Sequence, residues 1–180
     1  MKKRSLKELN RIGIPEFKAQ KKAPIVLVLD NIRSAHNVGA AFRTADAFAI
    51  EKIVLCGITA QPPHREILKT AIGASQSVEW EYKKENVAAL KQLKAEEYKI
   101  IGVEQTDEST SLEQVEVSKM KKYALVFGNE VQGIDDQLLP LLDEGLEIPQ
   151  FGTKHSLNVS VSMGIVLWTY FRAWKYGRIN

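Results

Sequence analysis

Five short apolar runs, separated by polar or helical stretches, restrict this chain to few architectures. Ile25-Val26-Leu27-Val28-Leu29 is continuous and lacks the alternation of a strand with one wet face. Such a run suits a strand covered on both sides, as in parallel sheets. Similar runs recur at Lys52–Cys56, Lys99–Val103 and Tyr123–Phe127, with a shorter one at Leu146–Ile148. Helical patterns lie between or after them at Val38–Phe48, Asn86–Glu97, Asp135–Leu142 and Leu157–Trp174. This alternation predicts an α/β fold, a mainly parallel sheet with helices on both faces. Gln105–Lys122 is polar and reads as loop. With 180 residues, 44% of them hydrophobic, one domain with a real core is expected. No run reaches the roughly 20 apolar residues that span a bilayer.

Charge divides the chain in two. Residues 1–24 carry eight basic and two acidic residues, a net +6, and residues 25–180 carry a net −3. We therefore read 1–24 as a basic N-terminal arm and 25–180 as the folded domain. The arm can attract phosphates by releasing their counterions, or it can pack on the domain through Leu6, Leu9 and Ile12. Ser5-Leu6-Lys7-Glu8 matches a capping box, so a short helix is expected there, ended or interrupted by Pro15. No apolar signal region follows Met1-Lys2-Lys3-Arg4, and the single Cys56 excludes an internal disulfide. These features lead us to expect a cytoplasmic protein.

Three loops carry the candidate chemistry. The first follows the opening strand: Asp30-Asn31 closes that strand, then come Asn37, Gly39 and Arg43. A polar loop at the carboxyl end of a parallel strand is where open α/β sheets bind ligands. An arginine about one turn beyond a glycine can clamp a phosphate or stabilise an oxyanion, or be a surface ion-pair residue. The second loop, Gly128-Asn129-Glu130-Val131-Gln132-Gly133, places a carboxylate between glycines after a buried strand, and alone it reads as an ordinary turn. The third runs from Ile148 through Gln150 and Gly152 to Ser156-Leu157-Asn158, which opens the last helix. Polar residues there lie near free backbone N–H groups. His36, His64, His155 and Cys56 show no metal-ligand spacing, so no metal is expected.

With all three segments in this order, the chain resembles the TrmH/SpoU group of the SPOUT RNA methyltransferases. The resemblance covers about residues 25–175 and includes the spacings of twenty residues from Gly128 to Ile148 and nine from there to Leu157. It implies a SPOUT fold with a C-terminal trefoil knot, and a homodimer built on the last, nearly all-apolar helix. The implied activity is methyl transfer from S-adenosyl-L-methionine to a ribose 2′-hydroxyl of RNA, tRNA or rRNA. Its implied catalytic residues are Arg43, Asn37, Glu130, Ser156 and Asn158. Its implied cofactor-binding residues are Gly128, Asn129, Ile148, Gln150 and Leu157. Two positions depart from the usual pattern: Ala49, where relatives often carry Gly, and Gln150, where they often carry Met. The other readings are a non-catalytic RNA-binding protein on the same scaffold and an RNA base methyltransferase.

Overall fold

The computed structural model describes residues 1–5 and 7–177. Leu6, named above as a possible packing residue, lies outside them, as do residues 178–180. Thirteen elements follow in order: α1 (Ile14–Ala19), β1 (Ala23–Asp30), α2 (Ala35–Ala47), β2 (Ile50–Cys56), α3 (Arg65–Ala71), α4 (Ala74–Ser77), β3 (Glu79–Lys83), α5 (Asn86–Ala95), β4 (Tyr98–Val103), β5 (Thr110–Ser111), β6 (Lys122–Phe127), β7 (Glu144–Glu147) and α6 (Val159–Tyr176). The strands form one sheet in the order β3-β2-β1-β6-β4-β7-β5, and every pairing is parallel.

The continuous apolar runs are explained by what covers them. In β1, Ile25, Leu27 and Leu29 point to one face and pack with α2, α3 and α6. Val26 and Val28 point to the other face and pack with Ala89, Leu90 and Leu93 of α5. None of these five strand residues is more than 1% exposed. Successive strand side chains alternate between faces, so only a strand buried on both can be apolar throughout.

The expected α-helix over Asp135–Leu142 does not form. The chain makes turns there, with a single 3-10 turn at Leu139–Leu141. Pro140 lacks the N–H an α-helix needs, and Asp135 accepts the Gln137 N–H at 2.9 Å, a local turn that competes with helix. The helix-like spacing of Ile134 and Leu138 is instead used to bury both against the second face. Pro15 also behaves differently from expectation: it sits in the first turn of α1, where its missing N–H costs nothing, and so helps to start a helix. Ser5 donates its N–H and hydroxyl to Glu8 at 2.6 and 2.8 Å, but only a 3-10 turn, Lys7–Leu9, follows.

The basic arm is partly tied down. Phe17 of α1 is 7% exposed and belongs to the first-face core, and the Lys22 ammonium lies 3.2 Å from its ring centroid. Ala23 already begins β1, whereas Ile12 is 42% exposed. The last helix, apolar nearly all round, is buried on one side only, by Met163, Val166, Leu167 and Tyr170. On its outer side Val161, Ile165 and Trp168 are 49%, 38% and 45% exposed. Phe17→Ala should cost about 3–5 kcal/mol by leaving a cavity, whereas deleting residues 1–13 should leave the melting temperature nearly unchanged. Denaturant unfolding and melting curves of the two variants check both halves of this.

Candidate active site

β1 and β6 are neighbours in register, with Leu29 opposite Phe127, so the first and second loops leave the sheet side by side. One side chain joins them. The Glu130 carboxylate accepts the N–H groups of Arg33 and Ser34 at 2.9 and 3.0 Å and the Asn37 side-chain amide at 2.9 Å. Ser34 is the N-cap of α2, its hydroxyl accepting the Asn37 N–H at 3.4 Å. Glu130 thus satisfies donors at the start of α2 and places negative charge at the positive end of the helix dipole. Burial alone would raise the Glu130 pKa, but hydrogen bonds from Arg33, Asn37, its own N–H and Ser34 outweigh it and hold the carboxyl below the usual range.

The second loop has no spare room. A Cβ on Gly128 would lie 2.1 Å from the Gly133 carbonyl carbon and 2.2 Å from the Ile134 nitrogen. Asn129 and Gly133 exchange both backbone hydrogen bonds at 2.9 Å, which pinches the loop shut. The Asn129 amide also donates to the Asn31 carbonyl at 2.8 Å, tying the loop's start to the end of β1. Its far end is tied there too, because the Asp135 N–H donates to Asp30 at 3.0 Å. Asp30 is fully buried and also accepts the amides of Asn31 and Asn86 at 2.9 and 3.0 Å. Burial pushes its carboxyl upward in pKa. Asp30 was read from the sequence only as the end of the first strand, and Asn86 did not stand out as part of a site.

A cavity of about 410 Å³ opens beside this loop, at the carboxyl ends of β4, β6 and β7. Gly128, Asn129, Glu130, Ile148, Gln150, Ser156, Leu157 and Asn158 all line it. Its apolar walls come from Val103, Phe127, Leu146, Ile148 and Leu157. Asn158 caps α6, accepting the Ser160 N–H at 2.9 Å, and donates to the Asn37 side-chain oxygen at 3.4 Å. Asn37 therefore stands between Glu130 and Asn158 and links the three loops. Asn37 and Arg43 do not line the cavity. Arg43 is exposed on α2, and its side chain makes no hydrogen bond or ion pair among the described residues.

Sequence reasoning missed Glu104 and Gln105, which follow β4 and also line the cavity. Glu104 accepts the Ile134 N–H at 3.2 Å, and the Gln105 side chain donates to the His155 carbonyl at 3.0 Å. Their signal was positional: they stand just past a parallel strand, at the ligand-binding edge of such sheets.

The fold and site define a parallel α/β protein with a pocket lined by the segments after β4, β6 and β7, beside which Glu130 and Asn158 hold the first loop through Asn37. Residues 24–168 match the SpoU rRNA Methylase family. The chain belongs to that family. Among similar proteins, the 23S rRNA (guanosine-2′-O-)-methyltransferase RlmB of Neisseria meningitidis is 33% identical over 144 residues, 80% of this chain and 56% of that protein. The tRNA (guanosine(18)-2′-O)-methyltransferase of Aquifex aeolicus is 32% identical over 168 residues, 90% of this chain and 74% of that one. The crystal structure of the A. aeolicus TrmH/SpoU tRNA modifying enzyme superposes with a TM-score of 0.78 at 26% identity, covering 88% of this chain and 79% of that one. The chain spans little more than half the length of the Neisseria protein. Among the described residues no helix is long and apolar enough to cross a membrane.

Because the folded-state pKa of Glu130 is depressed, the stabilisation it contributes is present above the ordinary carboxylate value, about 4.3, and is lost as pH falls through the lower folded value. Glu130→Gln should therefore lower stability at pH 7 by on the order of 1 kcal/mol, a figure discounted for partial exposure. The gap between wild type and variant should close as the pH drops below about 4. Urea unfolding across that pH range reads the difference.

Proposed function

We propose that this chain is the methyl-transferring domain of an S-adenosyl-L-methionine-dependent RNA 2′-O-ribose methyltransferase acting on tRNA or rRNA. The observation that carries this reading is the link Glu130–Asn37–Asn158, which gathers the three loops beside one cavity. Family membership and the printed activities of the Neisseria and Aquifex relatives support it.

The cavity suits the cofactor. Ile148 and Leu157 offer apolar walls to an adenine ring, and Gly128 lets a ligand approach the backbone closely. Asn129 and Gln150 supply polar edges. When bound, the cofactor supplies an electrophilic methyl group. The chain's own residues must position the RNA and manage the charge that develops on the ribose oxygen.

Arg43 is the residue we assign to that charge. A guanidinium is effectively always protonated, so it cannot serve as an ordinary base. It can hold an RNA phosphate and stabilise the oxyanion, the proton passing to phosphate or water. Its exposure, with no side-chain partner among the described residues, leaves it available for this. Glu130 and Asn37 fix the start of the helix that carries Arg43, and Ser156 and Asn158 face the cavity from the third loop. The reading includes the C-terminal trefoil knot, a cytoplasmic location, and RNA contact by the basic arm. It also includes a homodimer, supported by the apolar stripe Val161, Ile165 and Trp168 left open on α6.

Methyl transfer from labelled cofactor into total RNA, with nucleoside analysis of the product, tests the function directly. A methylated base, or no transfer, would overturn it. Arg43→Ala should slow transfer on the order of 100-fold while leaving affinity for S-adenosylhomocysteine nearly unchanged, because charge stabilisation acts in the transition state. Single-turnover rates and calorimetry separate the two effects. Light scattering at micromolar concentration should give the mass of two chains for the wild type and of one for Val161→Glu.

A further inference from the structure

α3 packs directly on the first turns of α2. A Cβ on Gly39 would lie 2.5 Å from the Ile67 carbonyl oxygen, and Thr70 donates its hydroxyl to the His36 carbonyl at 3.1 Å. One carboxylate here, Glu66 of α3, meets a basic side chain across the contact and two on its own helix. Glu66 lies 2.6 Å from His36 Nε2, 3.4 Å from Lys69 Nζ and 3.9 Å from Arg65 Nε. The Arg65 and Lys69 side chains are 89% and 60% exposed, against 29% for Glu66. Arg33, next to the α2 cap, binds Glu130 through its N–H, while its exposed side chain makes no ion pair among the described residues. Cationic heads therefore outnumber carboxylates along the edge of the candidate site, on a domain whose residues 25–180 are net negative.

We propose that Arg33, Arg65 and Lys69 form a phosphate-binding track that holds the RNA backbone beside the Glu130 site. This rests on the function proposed above and adds a surface to it, separate from the N-terminal arm. Exposed ion pairs like those of Glu66 contribute little, so the cations can exchange their carboxylate for phosphate at small cost. Glu66 and His36 keep the α3 side chains next to α2. Contacts of this kind position a nucleic acid without reading its sequence. Each phosphate neutralised releases counterions, so the track has a thermodynamic signature that cofactor binding lacks.

The test uses the full chain and a fluorescently labelled, unmodified tRNA transcript, with affinity measured by anisotropy at several salt concentrations. Arg65→Ala/Lys69→Ala should reduce the steepness of log K against log[salt] by about 1.4–1.8, two contacts at about 0.7–0.9 each. Its melting curve and its calorimetric affinity for S-adenosylhomocysteine should match the wild type. The control is Lys84→Ala/Lys91→Ala, two exposed lysines at and on α5, which covers the opposite face of the sheet. It should leave the slope unchanged. An unaltered slope in the α3 variant, or an equal fall in the control, overturns the track while leaving the proposed function standing. A wild type with no salt-dependent affinity for tRNA also overturns the track, whereas the function falls only if the methyl-transfer test on total RNA fails.

Discussion

A carboxylate that accepts three hydrogen bonds from another loop is a geometric constraint as well as a source of stability. Glu130 meets two consecutive backbone N–H groups and one side-chain amide, all at the mouth of α2. Among them, the Ser34 N–H belongs to the N-cap of α2, and the N–H groups at a helix start have no intrahelical partner. Without Glu130 the start of α2 would turn to water, and the second loop would keep, toward the first, only its ties to the end of β1, through Asn129 and Asp135. The amide of Asn37 is spent on Glu130, which leaves its oxygen free for Asn158. One charge thus sets the rotamer of the residue that reaches the third loop.

The sheet supplies the setting in which that constraint can act. β1, β6, β4 and β7 are consecutive neighbours and all parallel, so their carboxyl ends open on one edge. The loops after β1, β6 and β7 are distant in the chain, and the sheet order alone brings them together. Asp30 and Asn31 then fasten both ends of the second loop to β1, through Asp135 and Asn129. Only glycine at position 128 permits this closure, since a side chain there would meet the backbone of Gly133. Rigidity of the loop and openness of the cavity beside it therefore have the same origin.

Much of this was legible in advance where burial on both faces leaves a simple pattern. The runs at Ile25–Leu29 and Tyr123–Phe127 announced central strands because burial on both faces keeps them apolar, Tyr123 excepted, whose hydroxyl accepts the Ser118 N–H. β3 escaped notice because Glu79-Trp80-Glu81-Tyr82-Lys83 lies at the sheet edge, where charge is tolerated. Its Glu81 pairs with Lys52 at 2.7 Å across the ladder. α3 and α4 were too short for periodicity to show. The region after Gly133 misled because buried residues spaced four apart also suit a turn that packs inward. At the site, spacing identified the residues around the cavity but not their partners. That Glu130 bonds backbone groups of Arg33 and Ser34 is invisible in sequence, because any residue there would offer the same N–H. The partners of Asp30, Asn86 among them, were hidden for another reason: a buried polar network depends on contacts between β1, α5 and the segment after β6, far apart in the chain.

α6 ties the site to whatever covers its outer surface. Its N-cap, Asn158, bonds Asn37, and Leu157 just before it walls the cavity. One turn on, Val161 begins the exposed apolar stripe that continues through Ile165 and Trp168. Trp168 in turn packs on Phe48, at the C-terminal end of α2, with ring centroids 5.7 Å apart. The same two helices therefore meet twice, at their starts through Asn37 and Asn158 and again where the end of α2 meets the middle of α6 through aromatic rings. A rigid helix pair cannot shift at one contact without moving the other. Covering the stripe would restrain both contacts at once, narrowing the positions open to Leu157 and Asn158 at the cavity and to Arg43, which lies on α2 between the two contact points. Were the stripe covered, order in the site would follow from the same helix pair, since its two contacts move together.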